Sequence, residues 1–240
     1  MSNSLIIALI FLAAGFTQGV SGFGSALVAM PFLLLVIDVK IAVPLCILNG
    51  LVIAFYLSVQ LRRYVEWRKI WPLLIGCVPG IIAGVWFLKE ADNDWIQVLL
   101  GAMIASYALY NLMLKPAPRI IKGGWAYVAG FLTGVIGSAF SAGGPPTIIY
   151  TTLTGWNKDD IKATLSSFFF VSGVFIAAAH VVTGLTTIVV LKYFGQSVLA
   201  VLTGVWAGSV CYDKIKQKTY MKIILNLLLA MGVMMIFRSW

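Results

Sequence analysis

The sequence predicts an all-α polytopic membrane protein made of two inverted repeats, each a re-entrant or broken helical hairpin followed by three transmembrane helices. Three observations carry that expectation: an apolar composition, an internal duplication, and the distribution of basic residues. Of the 240 residues 61% are hydrophobic and 10% charged, with a mean hydropathy of +0.99, whereas a soluble domain carries about 25% charged residues. Eight apolar runs cover residues 5–36, 41–61, 70–88, 95–114, 124–154, 164–182, 186–212 and 220–237. Each approaches or exceeds the ~20 residues that span a bilayer. So little chain is left outside these runs that any functional site has to be built from the membrane helices and their short loops.

The N-terminus has neither the basic n-region nor the small-residue cleavage site of a secretory signal, so the first run is expected to stay in the mature protein. Cys46, Cys77 and Cys211 lie in apolar segments at unrelated spacings, which suggests neither a disulfide framework nor a metal site. The formal charge of +9 comes from Lys and Arg flanking the apolar spans. That pattern suits anionic membrane lipid and orientation rather than nucleic acid.

Gly15, Gly19 and Gly22, closing on Pro31, recur as Gly130, Gly134 and Gly137, closing on Pro146, at a constant offset of 115 residues. Gly80 and Gly84 match Gly204 and Gly208 at an offset of 124. The halves are therefore residues 1–120 and 121–240, the signature of an internal repeat. The second glycine pair suits close helix packing, within the chain or between copies of a homo-oligomer.

Orientation follows from the basic residues. With every run a simple span, nine Lys/Arg fall on the inner side and eight on the outer, which is no bias. With the run 124–154 entering and leaving on one side, the clusters around Arg62 to Lys69, Lys115 to Lys122, Lys158 to Lys162 and Lys214 to Lys222 share that side. The count becomes thirteen to four, as the positive-inside rule requires. The duplication extends the same hairpin to the first run, and an odd number of crossings per half then inverts the second half.

Each hairpin is interrupted midway, by residues 19–25 and by residues 137–146 with Gly143, Gly144 and Pro145 at its end. Irregular backbone at membrane depth is tolerated only when buried in protein or lining a wet cavity. Two related breaks therefore point at one midplane site. A half-helix starting near Ser25 or Pro145 aims free N–H groups and a positive dipole end inward, an anion site without a buried arginine. Gly22 and Gly24 allow close approach, while Gln18, Ser21, Ser25, Ser138, Ser141 and Thr147 add side-chain donors.

Here the twin glycine blocks closing on Pro31 and Pro146 resemble the TauE/SafE family, the sulfite exporter or four-toluene-sulfonate uptake permease family, over nearly the whole chain. The resemblance implies a small anionic substrate such as sulfite or a sulfonate, in a multi-pass inner-membrane transporter. An anion channel or a non-transporting subunit of a membrane assembly are the alternatives.

None of the eight acidic residues sits mid-span, so a carboxylate proton relay or cation site is not expected. Asn49, mid-span in the second run, either lines the site or bonds a neighbouring helix. Ser166 and Ser167, with Ser172, precede His180 on the sixth run. As the lone histidine, His180 suits coupling proton to anion movement, or a plain hydrogen bond near a helix end. No catalytic constellation and no cofactor motif is present, so an enzyme is not expected.

Overall fold

The computed structural model describes residues 3–113, 124–212 and 217–238. The boundary expected at 120/121 and the basic residues Lys115, Arg119, Lys122, Lys214 and Lys216 lie outside the described residues. Among the described residues ten α-helices follow in order: α1 Asn3–Ser21, α2 Ser25–Leu33, α3 Val39–Gln60, α4 Trp67–Glu90, α5 Asn93–Met113, α6 Trp125–Phe140, α7 Gly144–Leu153, α8 Lys158–Val182, α9 Ile188–Cys211 and α10 Gln217–Arg238. Six of them, α1, α3, α4, α5, α8 and α9, are long and apolar enough to cross a membrane, and α6 is a shorter apolar helix. The chain is an all-helical multi-pass membrane protein.

Local chemistry sets the helix starts. Asp38 accepts from Lys40 N–H at 2.8 Å ahead of α3, Asn157 from Asp160 N–H at 2.9 Å ahead of α8, and Thr187 from Val190 N–H at 3.4 Å ahead of α9. Each supplies an acceptor for a helix-start N–H that has no intrahelical partner. The first and fifth apolar runs are each two helices. They are α1 and α2, broken only at residues 22–24, and α6 and α7, broken only at 141–143. These breaks are shorter than the sequence suggests, because Gly19 and Gly137 remain helical.

Glycines set the helix packing. A Cβ on Gly15 would lie 2.6 Å from Val201 O, one on Gly19 2.6 Å from Val205 O, one on Gly204 2.3 Å from Leu12 O, and one on Gly208 2.2 Å from Phe16 O. The backbones of α1 and α9 are therefore in direct contact, and the residue numbers rise together, so the helices run parallel. Gly76, Gly80 and Gly84 meet Tyr127 O, Phe131 O and Val135 O, while Gly130 and Gly134 meet Leu73 O and Cys77 O, all at 2.1 to 2.3 Å. Hence α4 and α6 are likewise parallel and in contact. These are the two most extensive helix pairs, and α5 packs on α10 and α3 on α8.

The side chains of Leu45, Ile53 and Leu57 on α3 and Phe168 on α8 are fully buried, whereas Trp71, Ile75, Val78, Ile82 and Trp86 project outward from α4. That spacing of three to four residues is a lipid-facing stripe. Two polar clasps mark opposite ends of α4. At its start Lys69 pairs with Glu66 at 2.8 Å and with Asp160 at 3.3 Å. At its end Lys40 Nζ donates to Lys89 O at 3.2 Å and Asn93 Nδ2 to Asp38 at 2.6 Å.

Gly134→Ala places a methyl 2.3 Å from Cys77 O and has to push α4 and α6 apart, at a cost of about 1–3 kcal/mol. Gly195→Ala, in open space on α9, gains helix propensity of up to about 1 kcal/mol. Thermal melts in detergent are expected to fall for the first and to hold or rise for the second.

Candidate functional site

A cavity of about 90 Å³ lies where the two breaks meet, walled by α3 and α8. The first break contributes Gln18, Gly24, Ser25, Ala26 and Leu27, and the second contributes Thr133, Gly137, Ser141, Ala142, Gly143 and Gly144. Its polar groups are amide, hydroxyl and backbone; among the described residues no charged side chain lines it.

At the first break Ser21 Oγ holds the turn together, 2.7 Å from Thr17 O and 2.5 Å from Phe23 O. Gly22 and Gly24 have φ of 84° and 92°, a region that side chains rarely adopt. The helical bonding of α2 begins at Val28 N–H, which reaches Gly24 O at 3.1 Å. The N–H groups of Ser25, Ala26 and Leu27 precede it and are the free donors of a helix start. All three residues line the cavity. Gln18 is 5% exposed, and its amide makes no side-chain hydrogen bond to the described residues, so an occupant of the cavity is its natural partner.

The second break is built differently. Ser141 sits at φ 58° and its N–H closes α6 on Gly137 O at 2.9 Å. Gly143 has no room for a side chain, since a Cβ would lie 2.5 Å from Thr133 O. α7 opens with Gly144, Pro145 and Pro146, and the prolines have no N–H. α7 therefore offers fewer donors than α2, although the duplication suggests equivalent tips.

Of the residues expected at the site, Gln18, Gly24, Ser25, Ser141, Gly143 and Gly144 come together around the cavity. Others do not line it. Ser21 is part of the first turn, and a Cβ on Gly22 would lie 2.8 Å from the Lys162 stem. Asn49 Nδ2 donates to Ser197 Oγ at 3.0 Å, tying α3 to α9. Ser138 Oγ donates to Ile81 O and Gly134 O at 3.1 and 2.8 Å, tying α6 to α4. Pro145 belongs to the first turn of α7, and Thr147 shares a hydroxyl contact with Thr133. Ser166 is fully buried with no hydrogen-bond partner among the described residues, and Ser167 is buried beside it. His180, also fully buried, places Nε2 3.0 Å from Ser138 O.

The cavity wall on α8 is Phe169, Ser172, Gly173 and Ile176, and on α3 Cys46, Ile47, Gly50 and Leu51. Apart from Ser172, named only as a neighbour of His180, and Cys46, named only among the cysteines, these are absent from the sequence-based expectation. Their three-to-four-residue spacing was the available signal, since it marks one face of a helix. Among the described residues no group of His, Cys, Asp and Glu comes together as a metal site.

The sulfite exporter TauE/SafE family matches residues 7–235. A probable sulfite/organosulfonate exporter, TauE, from Cupriavidus necator is 29% identical over 115 residues, 46% of this chain and 44% of that protein. A probable inner membrane transporter protein, TsaS, from Comamonas testosteroni is 30% identical over 104 residues, 43% of this chain and 44% of that one. Each alignment thus spans less than half the length of the relative it matches. No solved structure matches the chain. A family match running through nearly the whole chain, on a helical membrane fold broken twice around one cavity, makes this protein a member of the TauE/SafE family.

Proposed function

We propose that the chain is a secondary transporter, a permease carrying small organosulfur anions such as sulfite or sulfonates across the inner membrane by alternating access around the two breaks. The observation that carries this is the cavity where the unpartnered Gln18 amide, the Ser25 hydroxyl and the free N–H groups at the start of α2 converge. Such a set replaces part of an anion's hydration shell without a buried cation. The volume of about 90 Å³ favours a compact oxyanion with little attached to it. The names of the Cupriavidus and Comamonas relatives support both the substrate class and the inner-membrane location.

The inverted-repeat architecture is part of the proposal. α6 runs parallel to α4, and the chain is back at the start of α4 by Asp160, as a hairpin entering and leaving on one side requires. After α1 and α2 the chain reaches Lys40, at the far end of α4. The packing pairs exchange when the halves are exchanged, α1 with α9 becoming α6 with α4. Because each pair joins the two halves, the moving bodies of an access cycle mix both halves rather than following the sequence boundary at 120/121. Proton coupling through His180 belongs to the same proposal: Nδ1, without a partner among the described residues, is where a coupled proton is taken up.

Thermal stability of the purified chain against sulfite, sulfate, thiosulfate, taurine, acetate and chloride tests the site. Ligand at a hundred times its Kd stabilises by about 2.7 kcal/mol, so sulfite is expected to raise the melt, and Gln18→Leu or Ser25→Ala to remove the shift. In proteoliposomes, sulfite uptake is expected to saturate and to accelerate with sulfite inside. Linear, unaccelerated flux identifies a channel, and absence of both shift and flux removes the anion reading.

Ser141 separates backbone from hydroxyl. Ser141→Gly suits φ 58° and is expected to hold or raise stability by up to about 1 kcal/mol. The same variant loses a donor to a charged ligand worth about 1.5–3 kcal/mol, so sulfite affinity falls by about tenfold or more. Unchanged affinity in this variant removes Ser141 from the site.

A further inference from the structure

The carbonyl ends of both broken helices are covered by nitrogens from one helix. Near the start of α8, Lys162 Nζ donates to Gly19 O at 3.0 Å and lies 3.7 Å from the centre of the Tyr212 ring. Near the end of α8, His180 Nε2 lies 3.0 Å from Ser138 O. A carbonyl only accepts, so Nε2 carries the proton there. Lys162 is 6% exposed and His180 0%, and neither lines the cavity.

A break inside a helix sets two opposite dipole ends beside each other: the N–H end of the helix that follows and the carbonyl end of the helix that precedes. An anion held at such a point is attracted by the first and repelled by the second. Gly19 O and Ser138 O belong to the carbonyl ends of α1 and α6, each one residue past a cavity-lining position, Gln18 and Gly137. Left uncovered, these oxygens oppose the charge that α2 attracts.

We propose that Lys162 and His180 are positioning residues for anion selectivity, covering the carbonyl ends of α1 and α6 so that the cavity presents N–H groups in excess of C=O groups. The proposal rests on the anion reading of the cavity. It assigns α8 two linked tasks: its middle, through Phe169, Ser172, Gly173 and Ile176, forms the wall, and its two ends set the polarity of the breaks. It also gives a reason for a lysine and a histidine being buried inside the helix bundle, where an ionisable group is costly without a partner.

The test uses the purified full chain and the sulfite Kd read from ligand-dependent thermal stabilisation, in wild type, Lys162→Met, Lys162→Arg, His180→Phe and His180→Gln. Met and Phe, which cannot donate, are expected to raise the Kd by about tenfold or more. Arg and Gln, which keep an N–H donor, are expected to stay within about threefold of wild type. A folded Met or Phe variant with wild-type Kd overturns the proposal, and so does an Arg or Gln variant as impaired as its apolar counterpart. The two ends are independent, so one folded apolar variant decides. If neither purifies folded, the Arg and Gln variants decide by the same threefold criterion. A wild-type chain with no response to sulfite fails the transport reading itself, which is a different outcome from a responsive wild type and an equally responsive Lys162→Met.

Discussion

Backbone lies directly on backbone where α1 meets α9 and α4 meets α6, at glycines on both partners. In a bilayer, helix association gains nothing from expelling water, so it depends on close van der Waals approach and interhelical hydrogen bonds. Glycines on both partners provide that approach, with Gly15, Gly19, Gly204 and Gly208 in one pair and Gly76, Gly80, Gly84, Gly130 and Gly134 in the other. The polar breaks at 22–24 and 141–143 sit at the ends of α1 and α6, the two helices held this way. Unbonded backbone there is tolerable because protein, rather than lipid, surrounds it.

The two pairs also determine what a polar side chain can do. Ser138 donates to Ile81 O and Gly134 O and is consumed by the α4–α6 contact. Asn49 and Ser197 spend their groups on each other. Gln18 and the start of α2, left without such bonds, face the cavity.

Much of this was legible in the sequence. Composition and run lengths gave the helical membrane class, and helix-breaking residues at matched positions gave two breaks, with Gln18, Ser25, Ser141, Gly143 and Gly144 beside the cavity they meet at. The extent of each break was less legible, because a glycine such as Gly19 serves either to break a helix or to let another approach, and only the partner helix decides. Ser166, Ser167 and Thr147 lie away from the cavity for a similar reason: a hydroxyl in an apolar run has several outlets, and its face is fixed by neighbours distant in sequence. Lys162 was legible only as one of a basic cluster, since a lysine beside Asp159 and Asp160 resembles an interfacial anchor until Gly19 O is found within its reach.

The pairing of α1 with α9 has a consequence for how the chain is made. From Leu12 to Gly204 is a separation of 204 − 12 = 192 residues, so α1 leaves the ribosome long before its partner. During that interval the glycine face of α1 and the polar turn behind it lack their cover, and the membrane, or an insertion factor in it, has to tolerate both. The second break fares better, because α4 is already in place when α6 arrives. Assembly is therefore uneven between two outwardly similar elements: one is completed as it is inserted, and the other waits for a helix 192 residues further along.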